Sequence, residues 1–141
     1  MKFTIITPVY NGDKYLSDTI ESVLSQEGDF EIEYIVRDGG STDSTIKIIE
    51  KYHELVRGNK FPIKCKGVSL TFISDKDNGM YDAINKGFAS STGNIMAWIN
   101  CDDFFLPMAF SKISKVFTEY PEVTWLKGIT AIVNPETGII N

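Results

Sequence analysis

The chain has 141 residues, of which 43% are hydrophobic and 23% charged, as expected for one globular domain with one hydrophobic core. Its 14 Lys and Arg residues against 19 Asp and Glu give a net charge of −5. This charge argues against nonspecific binding to nucleic acid, which needs a basic face. A polyanionic ligand would need a metal ion or a local cationic group beside it.

The cysteines and the apolar segments indicate the cellular compartment. Cys65 and Cys101 lie far apart and match no spacing typical of a metal site, so we expect reduced thiols in a reducing compartment. The first apolar run meets Pro8 and is too short for a signal peptide. No run approaches the roughly 20 residues of a membrane span. We therefore expect a cytoplasmic protein, with contact at the inner face of the membrane as an open alternative. The candidate surface for such contact is a basic loop with Arg57, Lys60, Lys64 and Lys66.

Hydrophobic patterns along the chain alternate between strands and helices. Runs rich in Ile and Val predict strands over residues 2–10, 32–38, 70–74 and 94–100. Apolar residues at helical spacing predict helices over residues 13–26, 43–55, 80–91 and 106–120. Residues 56–69 are expected to form a loop, and residues 123–128 and 129–135 two final strands. The alternation predicts one α/β domain over residues 1–141, with a mainly parallel sheet flanked by helices in three layers, α/β/α. Trp98 and Trp125 fall on predicted strands, where we expect them to be core residues.

Polar side chains follow each of the first four predicted strands. Asn11 follows the first strand, Asp38 the second, Asp77 the third, and the adjacent Asp102 and Asp103 the fourth. Ligands of open parallel sheets bind beyond the carboxyl ends of the strands. The sequence therefore predicts one site built from these strand ends.

The adjacent carboxylates of Asp102 and Asp103 indicate the chemistry of this site. At ~5 Å and an effective dielectric constant of ~20 their repulsion is roughly 3 kcal/mol, which a bound cation would offset. Oxygen ligands suit Mg²⁺ or Mn²⁺, and such ions keep substrate phosphates in their shell. The chain has neither a P-loop nor a GxGxxG motif, so the metal is the expected anchor of a diphosphate. The alternative is an acid pair that merely precedes a helix.

Two further residues could contact a nucleotide base. Tyr10 can supply a ring wall, and Asp38 can accept hydrogen bonds from a base N–H or from ribose hydroxyls. The alternatives are ordinary packing for Tyr10 and a turn-forming role for Asp38 beside Gly39.

Three segments together resemble glycosyltransferase family 2, the inverting enzymes of the GT-A fold. They read "TIITPVYNGDKYLSDTIESVLSQ", "YIVRDGGSTDSTIKII" and "SDKDNGMYDAINKGFASSTGNIMAWINCDD". The resemblance runs from residue 3 to about residue 133, with the blocks in the family's order and spacing. It implies a GT-A, Rossmann-like fold that binds a nucleotide-diphosphate sugar.

The resemblance also implies roles for individual residues. Pro8 and Tyr10 would line the base pocket, and Asp38 would bond the base. Asp77 and Asn85 would face the sugar-nucleotide side. Asp102 and Asp103 would match the DXD-type element that holds ribose, metal and diphosphate.

The chain departs from the family pattern in two places. Asn100 stands where the family often has a further Asp, and no acid after Asp103 matches the family's general base. The catalytic base is therefore unassigned. We expect this chain to be the nucleotide-sugar-binding part of a longer enzyme, without its C-terminal acceptor half.

The resulting hypothesis is a metal-assisted, inverting glycosyltransferase with a nucleotide-diphosphate sugar donor, a UDP-sugar by the family resemblance. Its acceptor would be a hydroxyl of a glycan or a lipid-linked molecule in polysaccharide or cell-envelope synthesis. The alternatives are a nucleotide-sugar-binding fragment without turnover and a nucleotidyltransferase. A homodimer is a further open expectation.

Overall fold

The computed structural model describes residues 1–128 and residue 132. Four strands alternate with four helices, as the hydrophobic patterns predict. The elements are β1 (Lys2–Val9), α1 (Leu16–Leu24), β2 (Glu27–Asp38), α2 (Thr45–Arg57), β3 (Lys64–Ser74), α3 (Met80–Ala89), β4 (Ile95–Trp98) and α4 (Ala109–Glu119).

The four strands form one parallel sheet in the order β3-β2-β1-β4. Ile5 of β1 pairs with Tyr34 of β2 on one side and with Ala97 of β4 on the other, and Tyr34 pairs in turn with Leu70 of β3. Because every strand runs in the same direction, all four carboxyl ends lie at one edge of the sheet. The predicted parallel α/β architecture is confirmed.

Helices cover both faces of the sheet. One face packs against α1, α2 and α4, where the ring of Phe3 stacks on Phe110 at 4.8 Å and meets Phe30 edge-on at 5.1 Å. The other face packs against α3, so closely that a Cβ added at Gly87 would lie 2.7 Å from Ile6 Cγ2. This arrangement is the predicted three-layer α/β/α fold.

The structure corrects the expected boundaries at β3 and beyond α4. Residues 64–69, predicted as loop, belong to β3, because they pair with the first half of β2 and even Gly67 pairs with Glu31. Residues 123–128, predicted as a strand, form no regular structure, and Trp125 is exposed rather than buried in the core. The strand predicted over residues 129–135 lies outside the described residues, apart from residue 132.

Trp98 is also more exposed than predicted. It lies on β4, the outermost strand of the described sheet, and its side chain is on the same face as α3. Its ring meets Phe88 of α3 edge-on at 6.4 Å, and about half of the residue stays exposed. Its place on a short edge strand therefore prevents full burial.

Candidate functional site

Hydrogen bonds join the two loops that follow β1 and β2. The Asn11 amide donates to Ser41 Oγ (2.7 Å), and the Thr42 amide donates to Asn11 Oδ1 (2.8 Å). Asn11 has a φ of 49°, a left-handed conformation that Asn adopts more readily than most residues. These bonds fix the backbone next to Tyr10, a residue that is 65% exposed. Tyr10 is thus held at the surface and does not pack in the core.

The carboxylate of Asp38 holds the loop after β2 by hydrogen bonds to its backbone. Asp38 ends β2 and is almost completely buried. Its Oδ2 accepts hydrogen bonds from the amides of Gly40 (3.0 Å) and Ser41 (3.1 Å) and from Ser74 Oγ (2.6 Å). Its Oδ1 has only a longer contact, 3.3 Å, from the Ser41 amide. Because a carboxylate has about four acceptor positions, Oδ1 keeps capacity for one more donor.

The segment after β3 packs against the loop after β2. Asp77 Oδ1 accepts a hydrogen bond from the Gly79 amide (2.8 Å). A Cβ added at Gly39 would lie 2.9 Å from Asp77 Oδ2, closer than carbon and oxygen normally approach. Gly39 therefore lets the two segments meet, which explains why the sequence has a glycine directly after Asp38.

The turn after β4 carries the predicted acid pair. Its backbone is held by a bond from the Asp103 amide to the Asn100 carbonyl (3.1 Å) and by Thr19 Oγ1, which donates to the Asp103 carbonyl (2.7 Å). Asn100 Nδ2 donates to Asp103 Oδ2 (3.1 Å). Within the described part of the chain, the buried Asn100 Oδ1 has no hydrogen-bond partner. Asp102 is exposed between them.

The thiol of Cys101 lies in the same turn and is half-buried. Burial raises the pKa of this thiol, and the neighbouring Asp102 carboxylate raises it further. Cys101 therefore stays protonated at neutral pH, which agrees with a packing role and not with that of a nucleophile.

These loops surround a cavity of about 790 Å³ at the carboxyl edge of the sheet. Four of the predicted site residues line it, namely Pro8, Tyr10, Asp77 and Asp102. The remaining lining residues are Val9, Gly39, Gly40, Lys76, Gly79, Met80, Asn100 and Cys101. The sequence places Lys76 directly after the third predicted strand but gives it no role in the site, and it assigns none to Met80, which begins the predicted helix over residues 80–91.

Three predicted site residues do not line the cavity, namely Asp38, Asp103 and Asn85. Asp38 is buried and accepts hydrogen bonds from the amides of Gly40 and Ser41. Asp103 turns its carboxylate toward Asn100. Asn85 is exposed on α3 and is not among the lining residues.

The basic loop considered for membrane contact is largely paired within the chain. Lys66 Nζ lies 2.8 Å from Asp29 Oδ1, and Lys64 Nζ lies 3.8 Å from Glu27 Oε2. Arg57 pairs with Glu54 at 3.7 Å. In the part of the chain that the structure describes, no helix has the length and apolar character needed to cross a membrane.

The parallel sheet, its two helical layers and a cavity at the carboxyl ends of the strands define an open α/β protein, a class whose ligands bind at that edge. A family model described as glycosyl transferase family 2 matches residues 4–135. The chain belongs to this family.

Two relatives place the chain within the family. An uncharacterized glycosyltransferase of Nostoc sp. is 35% identical over 117 residues, which are 83% of this chain and 33% of that protein. The poly(ribitol-phosphate) beta-N-acetylglucosaminyltransferase TarS of Staphylococcus aureus is 31% identical over 107 residues, which are 74% of this chain and 17% of that protein. The chain therefore spans a third or less of the length of these relatives.

Solved structures confirm the GT-A fold. Residues 1–349 of S. aureus TarS in complex with UDP-GlcNAc match with a TM-score of 0.67 and 25% identity, over 86% of this chain and 32% of that one. A mannosyltransferase of Pyrobaculum calidifontis, in complex with GDP-Man and Mn²⁺, matches with a TM-score of 0.61 and 21% identity, over 75% of this chain and 29% of that one. The second likeness concerns the fold alone.

Proposed function

We propose that this chain is the donor-binding part of a glycosyltransferase that uses a nucleotide-diphosphate sugar, with UDP as the nucleotide. The observation that carries the proposal is the cavity of about 790 Å³, which is bounded by the loops after all four parallel strands in a family 2 chain. The TarS structure of the same fold, 25% identical, is a complex with UDP-GlcNAc. That complex supports UDP over other nucleotides.

The described side chains suit the parts of such a donor. The exposed ring of Tyr10, beside Pro8, offers a flat wall on which a base stacks. The family resemblance implies a base contact for Asp38, whose Oδ1 keeps capacity for one more donor. Asp77 lines the cavity, and the family resemblance would have both Asp77 and Asn85 face the sugar-nucleotide side.

The turn after β4 fits a divalent cation by its donor chemistry. Asp102 and Asp103 contribute carboxylates, and the unpartnered Asn100 Oδ1 is a further oxygen of the kind that Mg²⁺ and Mn²⁺ prefer. Among residues 1–128, no group of three or more His, Cys, Asp or Glu side chains is placed to hold a metal. An ion held by one or two carboxylates together with donor phosphates agrees with that count.

The proposed reaction is a single displacement at the anomeric carbon, with inversion. A hydroxyl of a glycan or a lipid-linked acceptor forms the new bond to the anomeric carbon and gives its proton to a general base, which is unassigned, while the bond to the nucleoside diphosphate breaks and the diphosphate leaves with the bonding electron pair. Asp102 and Asp103 would hold the divalent ion, which when bound supplies Lewis-acid stabilisation of the leaving diphosphate. The other residues of this chain bind and orient the donor, which accelerates the attack by positioning.

Calorimetric titration of UDP into the chain, with and without Mn²⁺, tests the proposal. We expect binding that strengthens with Mn²⁺, and loss of the Mn²⁺-dependent part in Asp102→Ala and Asp103→Ala. The matched control is Asp29→Ala, an exposed acid paired with Lys66 outside the cavity, which should bind like the parent chain. A folded chain that binds UDP in neither condition would contradict the proposal.

Binding without turnover is the second candidate, because the chain spans a third or less of its relatives. Both candidates predict UDP binding, so the calorimetry does not separate them. Release of UDP from a UDP-sugar in the presence of glycan acceptors does. Sugar transfer by the 141-residue chain would exclude the binding-only alternative.

A further inference from the structure

Arg37 is a buried cation that the donor-site assignment leaves without a role. It precedes Asp38 on β2, so its side chain lies on the opposite face of the sheet, the one covered by α3. It is only 6% exposed. Its Nη2 donates to Asp75 Oδ1 at 3.0 Å, and its Nε has no partner among the described residues. A buried charge is costly even when paired, so stability alone is a poor explanation for Arg37.

The partner of Arg37 begins the segment that forms one wall of the cavity. Asp75 directly follows β3, and its amide donates to the Asp38 carbonyl at 3.0 Å. Two adjacent residues of β2 therefore hold Asp75, one by its side chain and the other by its backbone. The residues that follow, from Lys76 to Met80, include four that line the cavity.

The charge of Arg37 also acts at the far end of this segment. The Asn78 amide donates to Asp82 Oδ2 in the first turn of α3 (3.0 Å). The pKa of Asp82 is lowered mainly by its hydrogen bond to Lys86, then by the Asn78 amide, with the nearby positive charge of Arg37 contributing. Arg37 thus pairs directly with Asp75 before the wall segment and contributes a smaller electrostatic effect at Asp82 after it.

We propose that Arg37 is a positioning residue of the donor site, which holds Asp75 and thereby sets the wall formed by residues 76–80. The inference rests on the proposed function for its consequence, because the ligand of that wall is the nucleoside diphosphate. Two neighbouring side chains on β2 then hold two different parts of the cavity wall. Asp38 holds the loop on one face of the strand end, and Arg37 holds the wall segment on the other.

Nucleotide affinity and stability should respond differently to Arg37→Met. We expect the Kd for UDP with Mn²⁺ to rise by about tenfold, as is typical when a residue that orients a ligand-binding group is lost. The urea midpoint should stay equal or rise, because the change removes a buried charge and leaves Asp75 half exposed to water. A residue with a purely structural role would lower the midpoint and leave the Kd unchanged.

Three variants complete the binding test. Arg37→Lys keeps the charge with fewer donors and should restore part of the affinity. Asp75→Ala should weaken binding as Arg37→Met does, but lower the midpoint, since it leaves the buried guanidinium unpaired. The double variant should bind no more weakly than either single one. The control is Lys66→Met, which breaks an exposed ion pair away from the cavity and should not change the Kd.

Amide hydrogen exchange gives a readout that needs no ligand. Arg37→Met should accelerate exchange at the amides of Asp75 and Gly79 and leave Val36, in the core of β2, unchanged. If the parent chain does not bind UDP, the proposed function fails, whereas the exchange result still decides whether Arg37 positions the wall. Unchanged exchange at both amides, or an unchanged Kd in folded Arg37→Met, overturns the inference. If Arg37→Met does not fold, Arg37→Lys and Asp75→Ala decide by the same two measurements.

Discussion

Replacing Glu33 by Gln tests how much one ionised carboxylate stabilises the fold at the edge of the sheet opposite the cavity. Glu33 lies on β2, and its side chain is 14% exposed. It accepts hydrogen bonds from Thr4 Oγ1 (2.5 Å) and from the amide and Oγ1 of Thr92 (both 2.8 Å), and Lys2 Nζ lies 3.4 Å away. These contacts join β1 and β2 to the turn before β4.

The magnitude follows from the pKa of Glu33. Burial raises this pKa, but the hydrogen bonds from Thr4 and Thr92 outweigh burial and lower it from 4.5 to about 2. A difference of about 2.5 units at 1.36 kcal/mol per unit corresponds to about 3 kcal/mol. Because the folded-state pKa is the lower one, this stabilisation is complete above pH 4.5 and is lost as the pH falls toward 2.

Urea unfolding of the parent chain and of Glu33→Gln at several pH values checks this expectation. Between about pH 5 and about pH 3 the parent should lose about 2 kcal/mol more than the variant, which has no carboxylate to protonate. The control Glu119→Gln removes an exposed carboxylate paired with Lys115 on α4 and should change stability by less than about 0.5 kcal/mol. Parallel pH profiles for the parent and Glu33→Gln would refute the reasoning.

Two further substitutions test packing and the site. Gly87→Ala places a methyl group 2.7 Å from Ile6 Cγ2. Overpacking destabilises the fold by ~1–3 kcal/mol, whereas the higher helix propensity of Ala stabilises α3 by ~1 kcal/mol. Urea unfolding should therefore show a net loss of about 1 kcal/mol in the free energy of unfolding. No loss would mean that α3 moves off the sheet freely. Tyr10→Ala should leave the unfolding midpoint unchanged, because the ring is exposed, but weaken UDP binding by about tenfold, and Tyr10→Phe should retain the affinity. An unchanged affinity in folded Tyr10→Ala would remove the ring from the base site.

The order of elements could be predicted because each segment carries its own periodicity. The Ile- and Val-rich run of β1 and the amphipathic pattern of α2 need no distant partner to be recognised. The start of β3 could not be predicted, because residues 64–69 become a strand only through their pairing with β2. Gly67 reads locally as a loop residue, and only the neighbouring strand makes it part of the sheet.

The location of the site could be predicted from topology, but the hydrogen bonds that shape it could not. Parallel strands bring their carboxyl ends together, so Tyr10, Asp77 and Asp102 were expected to meet, and all three line the cavity. The bond between Asn11 and Ser41 joins two loops that lie 30 residues apart. No local pattern encodes such a contact, and the same holds for the pairing of Arg37 with Asp75.

The structure separates acids that look equivalent in the sequence. Asp38 is buried, and its carboxylate accepts hydrogen bonds from the backbone amides of a neighbouring loop. Most of its acceptor capacity is therefore satisfied within the protein. Asp77 holds Gly79 and packs on Gly39. Asp102 lines the cavity, is exposed, and accepts no hydrogen bond from the described residues.

This difference bears on which acid a ligand would engage. A carboxylate already satisfied by amides gains little from a cation and would lose bonds by moving, whereas an unsatisfied one gains in full. The loops around the cavity are fixed by bonds made within the chain, so donor binding would order few further groups. Asp38 Oδ1 keeps one acceptor position but is buried, whereas Asp102 and Asn100, whose open oxygens lie at the turn after β4, both line the cavity. Binding energy for a metal and a diphosphate should therefore concentrate at that turn, while Asp38 and Arg37 act mainly by holding the walls in place.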